Sequence, residues 1–282
     1  MTTIVFVAVI SAAALHAVWN ALAKGGTDKH LSMTAVALGH TPIALAALAF
    51  VPTPTPESWP YIAVGMVLHT GYQLVLLAAY RIGDLTQVYP IARGTAPLIV
   101  AGVSTVFLGV TLAPLELLAV LTIALGILSL GFVRQQDGTR NGRASLLAFI
   151  TGCFIASYSL IDGTGARISG SALGFYSWVA IGNSVLFAAY IAATKPGLLS
   201  SLHKAKQTFI IGGTASFVAY GIVIWAFTQA PIALVTALRE TSIIFALVIG
   251  VWFLGEKLDL AKVFSTFVTL LGAAMLRLSK TS

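Results

Sequence analysis

The chain has 282 residues, of which 58% are hydrophobic and 9% are charged, and its formal net charge is +7. An average soluble domain carries about 25% charged residues, so the composition excludes a water-soluble protein and predicts an integral membrane protein. The single cysteine, Cys153, excludes an internal disulfide framework and a multi-cysteine metal site. The basic residues concentrate in the predicted loops, so we do not interpret the positive charge as a nucleic-acid surface.

Ten apolar segments follow one another along the chain, and each is long enough to cross the hydrocarbon core as a helix, which takes about 20 residues. We predict spans at 2–23, 30–50, 59–80, 85–108, 112–132, 144–162, 171–193, 207–228, 231–254 and 259–278. The segments between them are rich in turn residues. No basic region precedes the first apolar run, which we therefore expect to be a retained span rather than a signal peptide. The predicted fold is an all-α membrane protein of ten transmembrane helices.

Span 1 carries His16, Trp19 and Asn20 on one helical face. Three other spans offer similar residues: His69, Tyr72 and Gln73 in span 3, Tyr158 and Asp162 in span 6, and Tyr220 and Trp225 in span 8. A single polar residue in a membrane helix most often makes an interhelical hydrogen bond. Four spans that each present such a group favour an aromatic-lined, partly polar cavity. His40 in span 2 is expected to be a packing residue.

Span 4 and span 9 each contain a deep arginine. Arg93 and Arg239 lie about eight residues inside their spans, roughly 12 Å from the end. A central arginine costs about 2.5–3.5 kcal/mol or more, so each must face the protein interior or a wet cavity, unless it extends to the membrane interface. Glu240 could partner either arginine. The group is then a neutralised structural network or a site that binds a substrate carboxylate or phosphate.

Two positive charges against one deep carboxylate leave a surplus, which favours an anionic or zwitterionic ligand. We therefore expect one of the two arginines to bind a carboxylate. Pro90 and Pro97 flank Arg93 and predict a bend in span 4, which is either a hinge or a static curve.

The chain also repeats itself at an offset of 146 residues, which carries Arg93 onto Arg239. The other matched pairs are Thr95/Thr241, Phe107/Phe253, Leu108/Leu254, Gly109/Gly255, Leu112/Leu258 and Gly126/Gly272. We predict two five-helix repeats, 1–138 and 139–282, that lie in opposite orientations because five is odd. Secondary transporters use such inverted repeats and bind substrate near the midplane between them.

The loops also predict an orientation. Eleven Lys and Arg residues follow odd-numbered spans, namely Lys24, Lys29, Arg81, Arg134, Arg140, Arg143, Lys195, Lys204, Lys206, Lys257 and Lys262. Three lie on the other side: Arg167, Arg277 and Lys280. The positive-inside rule then places the odd-numbered loops in the cytoplasm and both termini outside.

No Walker A loop, His-Glu-x-x-His or Gly-x-Ser-x-Gly motif is present, so neither ATP hydrolysis nor a common catalytic site is predicted. We expect no enzyme activity, no cofactor and no metal site; an intramembrane or lipid-processing enzyme is the disfavoured alternative. Energy would come from ion or substrate exchange. His16, His69, Asp162 and Glu240 are the groups that could titrate, and the sequence does not choose between them.

Two segments carry a family resemblance: "HAVWNALAK" at 16–24 and "FLGEKLDLAKVFSTFVTLLGAAMLRL" at 253–278. With the ten short spans, they resemble the drug/metabolite transporter superfamily, EamA type, over essentially the whole chain. The turn in the first half, "LGVTLAP", lacks the Glu-Lys pair. The resemblance implies a central cavity formed by spans 1, 3, 4, 6, 8 and 9. It also implies cytoplasmic termini, whereas the charge distribution places them in the periplasm.

The resemblance further implies a bacterial inner-membrane exporter of small metabolites, most similar to the exporters of aromatic and other amino acids. The sequence therefore predicts a secondary transporter that exports amino acids by alternating access. The alternative is an exchanger or importer of phosphorylated or phosphonate compounds. The partners expected are the small-molecule substrate and membrane lipids. The predicted substrate-binding residues are His16, Trp19, Asn20, His69, Tyr72, Gln73, Arg93, Tyr158, Trp225, Arg239 and Glu240.

Overall fold

The computed structural model describes residues 1–26, 28–82, 85–131, 141–253 and 260–279. These ranges form helices and contain no strand. Besides the α-helices, they contain two 3₁₀-helices, Pro56–Ser58 and Leu199–Ala205, and a π-helical turn, Thr208–Gly212. The α-helices are α1 Thr3–Gly25, α2 Lys29–Leu48, α3 Trp59–Ile82, α4 Leu85–Val106, α5 Pro114–Gly131, α6 Gly142–Ile168, α7 Ala172–Thr194, α8 Gly213–Gln229, α9 Ile232–Arg239, α10 Ser242–Phe253 and α11 Leu260–Leu278. Each predicted span coincides with one of these helices, or with two in the case of span 9.

Within the described residues, length and composition identify seven segments as able to cross a membrane. They are 3–23, 29–48, 56–82, 142–168, 172–194, 208–229 and 232–249. Two further apolar helices, 114–129 and 263–278, are shorter. Their outer faces carry many exposed large apolar side chains, as expected for a surface in contact with lipid. The prediction of an all-α, multi-span membrane fold is confirmed.

Helix α6 continues six residues beyond the predicted end of span 6, to Ile168. The sequence there contains Gly163 and Gly165, which suggested a loop. Both glycines instead provide close packing: a Cβ on Gly163 would lie 2.6 Å from the side chain of Ile232, and one on Gly165 would lie 2.5 Å from the ring of Phe175. The extension places Asp162 inside the helix rather than at its end.

Span 9 was predicted as one helix and is interrupted at Glu240 and Thr241. The backbone N–H groups of these residues donate to Ala237 and Leu238, three residues back, which tightens the turn. The hydroxyl of Thr241 also donates to the Leu238 carbonyl at 2.8 Å. Side chains of this type compete for backbone groups and disturb helices. Helix α4, at the equivalent place in the first half, is continuous despite Pro90 and Pro97.

Each helix of the first half has a counterpart in the second half: α1 in α6, α2 in α7, α3 in α8, α4 in α9 and α5 in α11. Most helix pairs that pack together do so again when both helices are replaced by their counterparts. Helix α3 packs on α6 as α8 packs on α1, and α3 packs on α7 as α8 packs on α2. Three helices of the first half pack directly on their own counterparts: α2 on α7, α4 on α9 and α5 on α11. Gly126 and Gly272, matched by the sequence repeat, both lie where α5 and α11 cross. The predicted repeat boundary at 138/139 falls outside the described residues.

The loops after even-numbered spans gather at one end of the bundle, which we call the even-loop end. There the backbone N–H of Thr55, after α2, donates to the carbonyl of Ser169, after α6. Arg277 near the carboxyl terminus donates to Thr3. At the opposite, odd-loop end, Asn141 donates to the carbonyl of Ile82.

The predicted orientation in the membrane, with both termini outside, rests on the loop charges alone. Of the basic residues used for it, Arg134, Arg140, Lys257 and Lys280 lie outside the described residues, as do the side chains of Lys24 and Lys262. The "LGEK" turn of the resemblance also lies outside them.

Candidate functional site

The two deep arginines meet at one carboxylate in the centre of the bundle. Nε of Arg93, on α4, lies 2.7 Å from Oε2 of Glu240, and both side chains are almost fully buried, at 4% and 1% exposure. The separation is that of an ion pair, although the direction of the N–H misses hydrogen-bond geometry. Nη2 of Arg93 also donates to Oγ of Ser242 at 3.3 Å. The interruption of span 9 places both partners, Glu240 and Ser242, beside α4.

Arg239 is buried as deeply but is poorly paired. Its Nε lies 3.8 Å from Oε1 of Glu240, too long for a hydrogen bond. Its Nε and Nη2 are buried and have no hydrogen-bond partner. Its guanidinium carbon lies over the rings of Tyr158 and Tyr220, at 6.0 and 5.7 Å from their centroids. Aromatic faces attract a cation but do not satisfy its N–H donors.

Charge is therefore unbalanced at this site. Arg93, Arg239 and Glu240 together carry one surplus positive charge, and Nε and Nη2 of Arg239 have neither a hydrogen bond nor a close ion pair. Burying unpaired donors of a charged group is costly, and such costs are common where a ligand binds. This is an arrangement suited to a small anion.

Aromatic rings surround the arginines. Tyr158, on α6, is central: His69 stacks on it at 4.2 Å, and Tyr72 and Tyr220 meet it edge-on at 5.6 and 5.8 Å. Tyr176, on α7, extends the cluster through an edge contact with Tyr220 at 5.1 Å. Rings at these separations and angles attract one another beyond the area that they bury. They offer an apolar wall with hydroxyl groups at its edges.

A second buried carboxylate lies against this cluster. Oδ2 of Asp162 is 2.7 Å from Nε2 of His69 and accepts a hydrogen bond from the Tyr220 hydroxyl at 2.8 Å. Asp162 is fully buried and His69 is 14% exposed. The other oxygen of Asp162, Oδ1, has no hydrogen-bond partner and faces Gly65, where a Cβ would lie 2.7 Å from it.

A narrow cavity reaches Arg93. Its accessible volume of about 10 Å³ is room for about one water molecule. The lining residues are His16, Asn20, Tyr72, Leu76, Tyr80, Tyr89, Ala92, Arg93, Thr151 and Ile155. A wider vestibule of about 470 Å³ opens at the odd-loop end. Its walls are Asp28, Lys29, His30, Leu77, Tyr80 and Arg81.

Tyr80 lines both spaces. At the even-loop end, Arg167 links the end of α6 to the end of α8. Its Nε and Nη2 donate to the carbonyls of Phe227 and Ala230, at 2.8 and 2.9 Å.

The polar face of α1 reaches the cavity with two of its three predicted residues. His16 and Asn20 line it, and the Asn20 amide donates to the His16 carbonyl at 2.8 Å. Trp19 lies behind them: its Nε1 donates to Nδ1 of His16 at 3.2 Å, and its ring packs against α2 and α8. Trp19 therefore positions His16 rather than forming the wall.

Two other predicted residues differ from expectation. Trp225 is not among the residues that line the cavity, and it is 36% exposed. Five residues at 100° each turn it about 140° away from Tyr220. Gln73 is buried with Oε1 unpartnered and does not line the cavity.

The structure adds residues that the sequence analysis missed. Tyr89 lies under the guanidinium of Arg93 at 5.9 Å, and its position four residues before Arg93 was a usable signal. Ser242 lies three residues after Arg239, and this spacing was likewise a signal that the sequence offered. Tyr176 and Thr151 stand in apolar helices with no periodic pattern that separates them from packing residues. Among the described residues, no group of three His, Cys, Asp or Glu side chains could hold a metal ion.

Comparison with known proteins agrees with this architecture. The profile of the EamA-like transporter family matches residues 142–278. No curated protein matches the sequence. Among solved structures, 29 chains match, and one crystal structure of a protein covers 98% of this chain and 97% of its own length, at 18% identity and a TM-score of 0.74. That likeness establishes the fold.

The predicted resemblance to the superfamily is confirmed, and the family is one of transporters rather than enzymes. The chain is a multi-span membrane protein, and its residues 142–278 match the EamA-like transporter family of the drug/metabolite transporter superfamily, a family of small-molecule transporters.

Proposed function

We propose that the protein exports amino acids, aromatic and apolar ones included, across the bacterial inner membrane by alternating access. The observation that supports this proposal is the surplus guanidinium of Arg239. It is 3% exposed, has unused donors and lies over two tyrosine rings. A carboxylate would satisfy the unused N–H groups as a charge-assisted, two-point contact. The rings of Tyr158 and Tyr220 would then contact an apolar or aromatic side chain.

Charge matching favours a carboxylate over a phosphate. The Arg93–Glu240–Arg239 group carries one surplus positive charge, which a carboxylate neutralises. A phosphate monoester carries about two negative charges at neutral pH and would leave the site negative. The proximity of both guanidiniums to Glu240 supports phosphorylated or phosphonate compounds as the second candidate, since displacement of that carboxylate would free both arginines.

The two ends of the bundle support export as the direction of transport. The charge distribution of the loops supports a cytoplasmic odd-loop end, and the vestibule opens at that end. Lys29 and Arg81 in its wall would attract anions from that side. Loading from the cytoplasm and release at the even-loop end constitute export. The interrupted span 9 and the prolines of α4 supply hinge positions next to the site.

The test is ligand-induced thermal stabilisation of the purified protein with a panel of amino acids and organophosphates. We expect amino acids to stabilise the wild type and Arg277→Met, which removes a surface arginine, and to lose their effect on Arg239→Met. Flux of the stabilising compound in proteoliposomes should fall at least tenfold in Arg239→Met. Full stabilisation of Arg239→Met would contradict the carboxylate site, and stabilisation by organophosphates alone would favour the second candidate.

A further inference from the structure

Trp19 and His16 form a hydrogen bond that fixes which nitrogen of the imidazole carries the hydrogen. We propose that His16 is a specificity-determining residue: a neutral imidazole, held in one tautomer by Trp19, that donates its Nε2–H to a carboxylate oxygen of the transported molecule beside Arg93. Trp19 acts through His16 and is a positioning residue. This role rests on the proposed function, because it takes an amino acid as the ligand.

The hydrogen bond determines the tautomer of His16. Nε1 of Trp19 donates to Nδ1 of His16 at 3.2 Å. An indole N–H can only donate, so Nδ1 must be the acceptor and cannot carry a hydrogen. An imidazole with a bare Nδ1 is neutral and carries its hydrogen on Nε2. His16 therefore offers one N–H donor, on the ring nitrogen that does not face Trp19.

The same contact sets the orientation of the imidazole ring. The two rings meet edge-to-face, with centroids 4.9 Å apart and planes at 83°. Trp19 is 8% exposed and packs in a cluster with Val36 of α2 and Ala215 of α8, which holds the indole in place. Within the described residues, Nε2 of His16 has no hydrogen-bond partner, and His16 lines the inner cavity together with Arg93. Because Trp19 occupies the Nδ1 side, the Nε2–H is the part of the ring left to face that cavity.

Asn20, one helical turn from His16, gives the neighbouring part of the wall the opposite polarity. Its Nδ2 donates to the His16 carbonyl at 2.8 Å, so its Oδ1, an acceptor, remains for the cavity. The tyrosine hydroxyls in the wall rotate and either donate or accept. The side chains of His16 and Arg93, by contrast, can only donate toward the cavity. The space beside them therefore favours an anionic oxygen and disfavours an ammonium group, for which Asn20 supplies the acceptor.

The size and the position of the cavity suit one carboxylate oxygen. Its accessible volume of about 10 Å³ is room for about one water molecule, and a carboxylate oxygen is of similar size. Tyr72, in the cavity wall, meets Tyr158 edge-on at 5.6 Å, and the guanidinium of Arg239 lies over Tyr158 at 6.0 Å. The cavity thus adjoins the site at Arg239, so a carboxylate bound there has His16 as a further, neutral donor.

The tautomer is measured first, without any ligand. Nitrogen NMR of the full chain, labelled with isotopic histidine, distinguishes a ring nitrogen that carries a hydrogen from one that does not, and the signals missing from His16→Gln belong to His16. We expect the hydrogen on Nε2 in the wild type and a mixture of tautomers in Trp19→Phe, which removes the indole N–H. Trp178→Phe removes a buried indole N–H that has no hydrogen-bond partner and should leave His16 unchanged. A hydrogen on Nδ1 in the wild type, or an unaltered His16 in Trp19→Phe, would overturn the proposal.

Binding is then measured by thermal stabilisation with L-phenylalanine. The amide nitrogen of Gln reaches the place of the imidazole Nε2, whereas that of Asn reaches the place of Nδ1, so His16→Gln keeps a donor in the cavity and His16→Asn does not. We expect the apparent affinity to stay within about threefold of the wild type in His16→Gln and to fall about tenfold or more in His16→Asn, which loses a hydrogen bond to a charged group.

Equal losses in the two His16 variants, or no loss in either, would overturn the proposal. If L-phenylalanine still stabilises the wild type but not Arg239→Met, those results leave the proposed function intact. A wild type that L-phenylalanine does not stabilise would contradict the proposed function and, with it, the carboxylate contact of His16. The tautomer of His16, measured without ligand, separates these cases, because it reports on Trp19 and His16 alone.

Discussion

Arg93 and Glu240 form the contact that joins the two halves of the molecule at their centre, with Nε and Oε2 2.7 Å apart. The sequence repeat pairs Arg93 with Arg239, yet the structure treats them differently. Glu240 has no acidic counterpart in the first half, where Gly94 occupies the matching position. Of the two arginines that the sequence repeat matches, Arg93 is therefore neutralised by Glu240, whereas Arg239 keeps unused donors.

Replacing Glu240 by Gln should destabilise the protein, because it leaves two buried guanidiniums without a counter-ion. Breaking a buried ion pair on one side costs about 3–5 kcal/mol. We expect a correspondingly lower melting temperature for Glu240→Gln than for the wild type. The double variant Arg93→Met, Glu240→Gln removes one cation as well and should recover part of the loss. A double variant no more stable than Glu240→Gln alone would contradict the pairing.

The two arginines should also differ in what their removal costs. Arg93→Met strips Glu240 of its close partner and leaves a buried carboxylate with only the 3.8 Å contact to Arg239. Arg239→Met removes a cation whose donors are unsatisfied and leaves the Arg93–Glu240 pair balanced. We expect the free energy of unfolding to fall by about 3 kcal/mol or more in Arg93→Met and by less in Arg239→Met. Equal losses in unfolding measurements on matched detergent samples would show that the charges are shared evenly.

Much of the fold could be predicted because a bilayer restricts the choice of structure. Backbone groups in hydrocarbon must be paired, so apolar runs of about 20 residues become helices. The inward orientation of the two arginines could also be predicted, because a guanidinium deep in a membrane span has to face the protein interior. The repeat identified Gly126 and Gly272, and both lie at one helix crossing.

The rest depended on tertiary contacts that a single sequence does not display. The interruption after Arg239 comes from local competition for backbone carbonyls within an otherwise apolar run, which hydropathy does not detect. Gly163 and Gly165 have the composition of a loop and act as packing positions in a helix. Trp225 shares a span with Tyr220 but not a face, and apolar surroundings on all sides of a membrane helix conceal which face is buried.

The crossing of α5 and α11 should be sensitive to single methyl groups. A Cβ on Gly126 would lie 2.8 Å from Cγ1 of Val268, and one on Gly272 would lie 2.5 Å from Cγ1 of Ile123. We expect each Gly→Ala variant to lose about 1–3 kcal/mol of unfolding free energy. Gly102→Ala, in helix α4 with open space around the added methyl, should be neutral or slightly stabilising. The prediction fails if the Gly102 variant loses as much as the other two.

Tyr80 should control access to the central cavity from the vestibule. Its side chain lines both spaces, so Tyr80→Ala would join them. In a Cys153→Ser background, Thr151→Cys places a thiol in the wall of the inner cavity. We expect a water-soluble thiol reagent added at the odd-loop end to label this cysteine several-fold faster when Tyr80 is Ala. Tyr61→Ala, near the other end of the same helix, should leave the labelling rate unchanged; an equal increase would mean that the effect is general loosening.

Arg167 should determine how firmly the ends of α6 and α8 are held together at the even-loop end. Its two hydrogen bonds to the Phe227 and Ala230 carbonyls hold the end of α6 against the end of α8. In a Cys153→Ser background, spin labels are attached at Glu57→Cys and Gln229→Cys, two exposed positions of this end. Arg167→Met should raise the population in which these two labels are far apart. Arg277→Met removes a different arginine bond at the same end, to Thr3 on α1, and should leave that distance unchanged. If the two variants increase the label distance equally, the packing of the whole even-loop end, rather than the bonds of Arg167, holds α6 against α8.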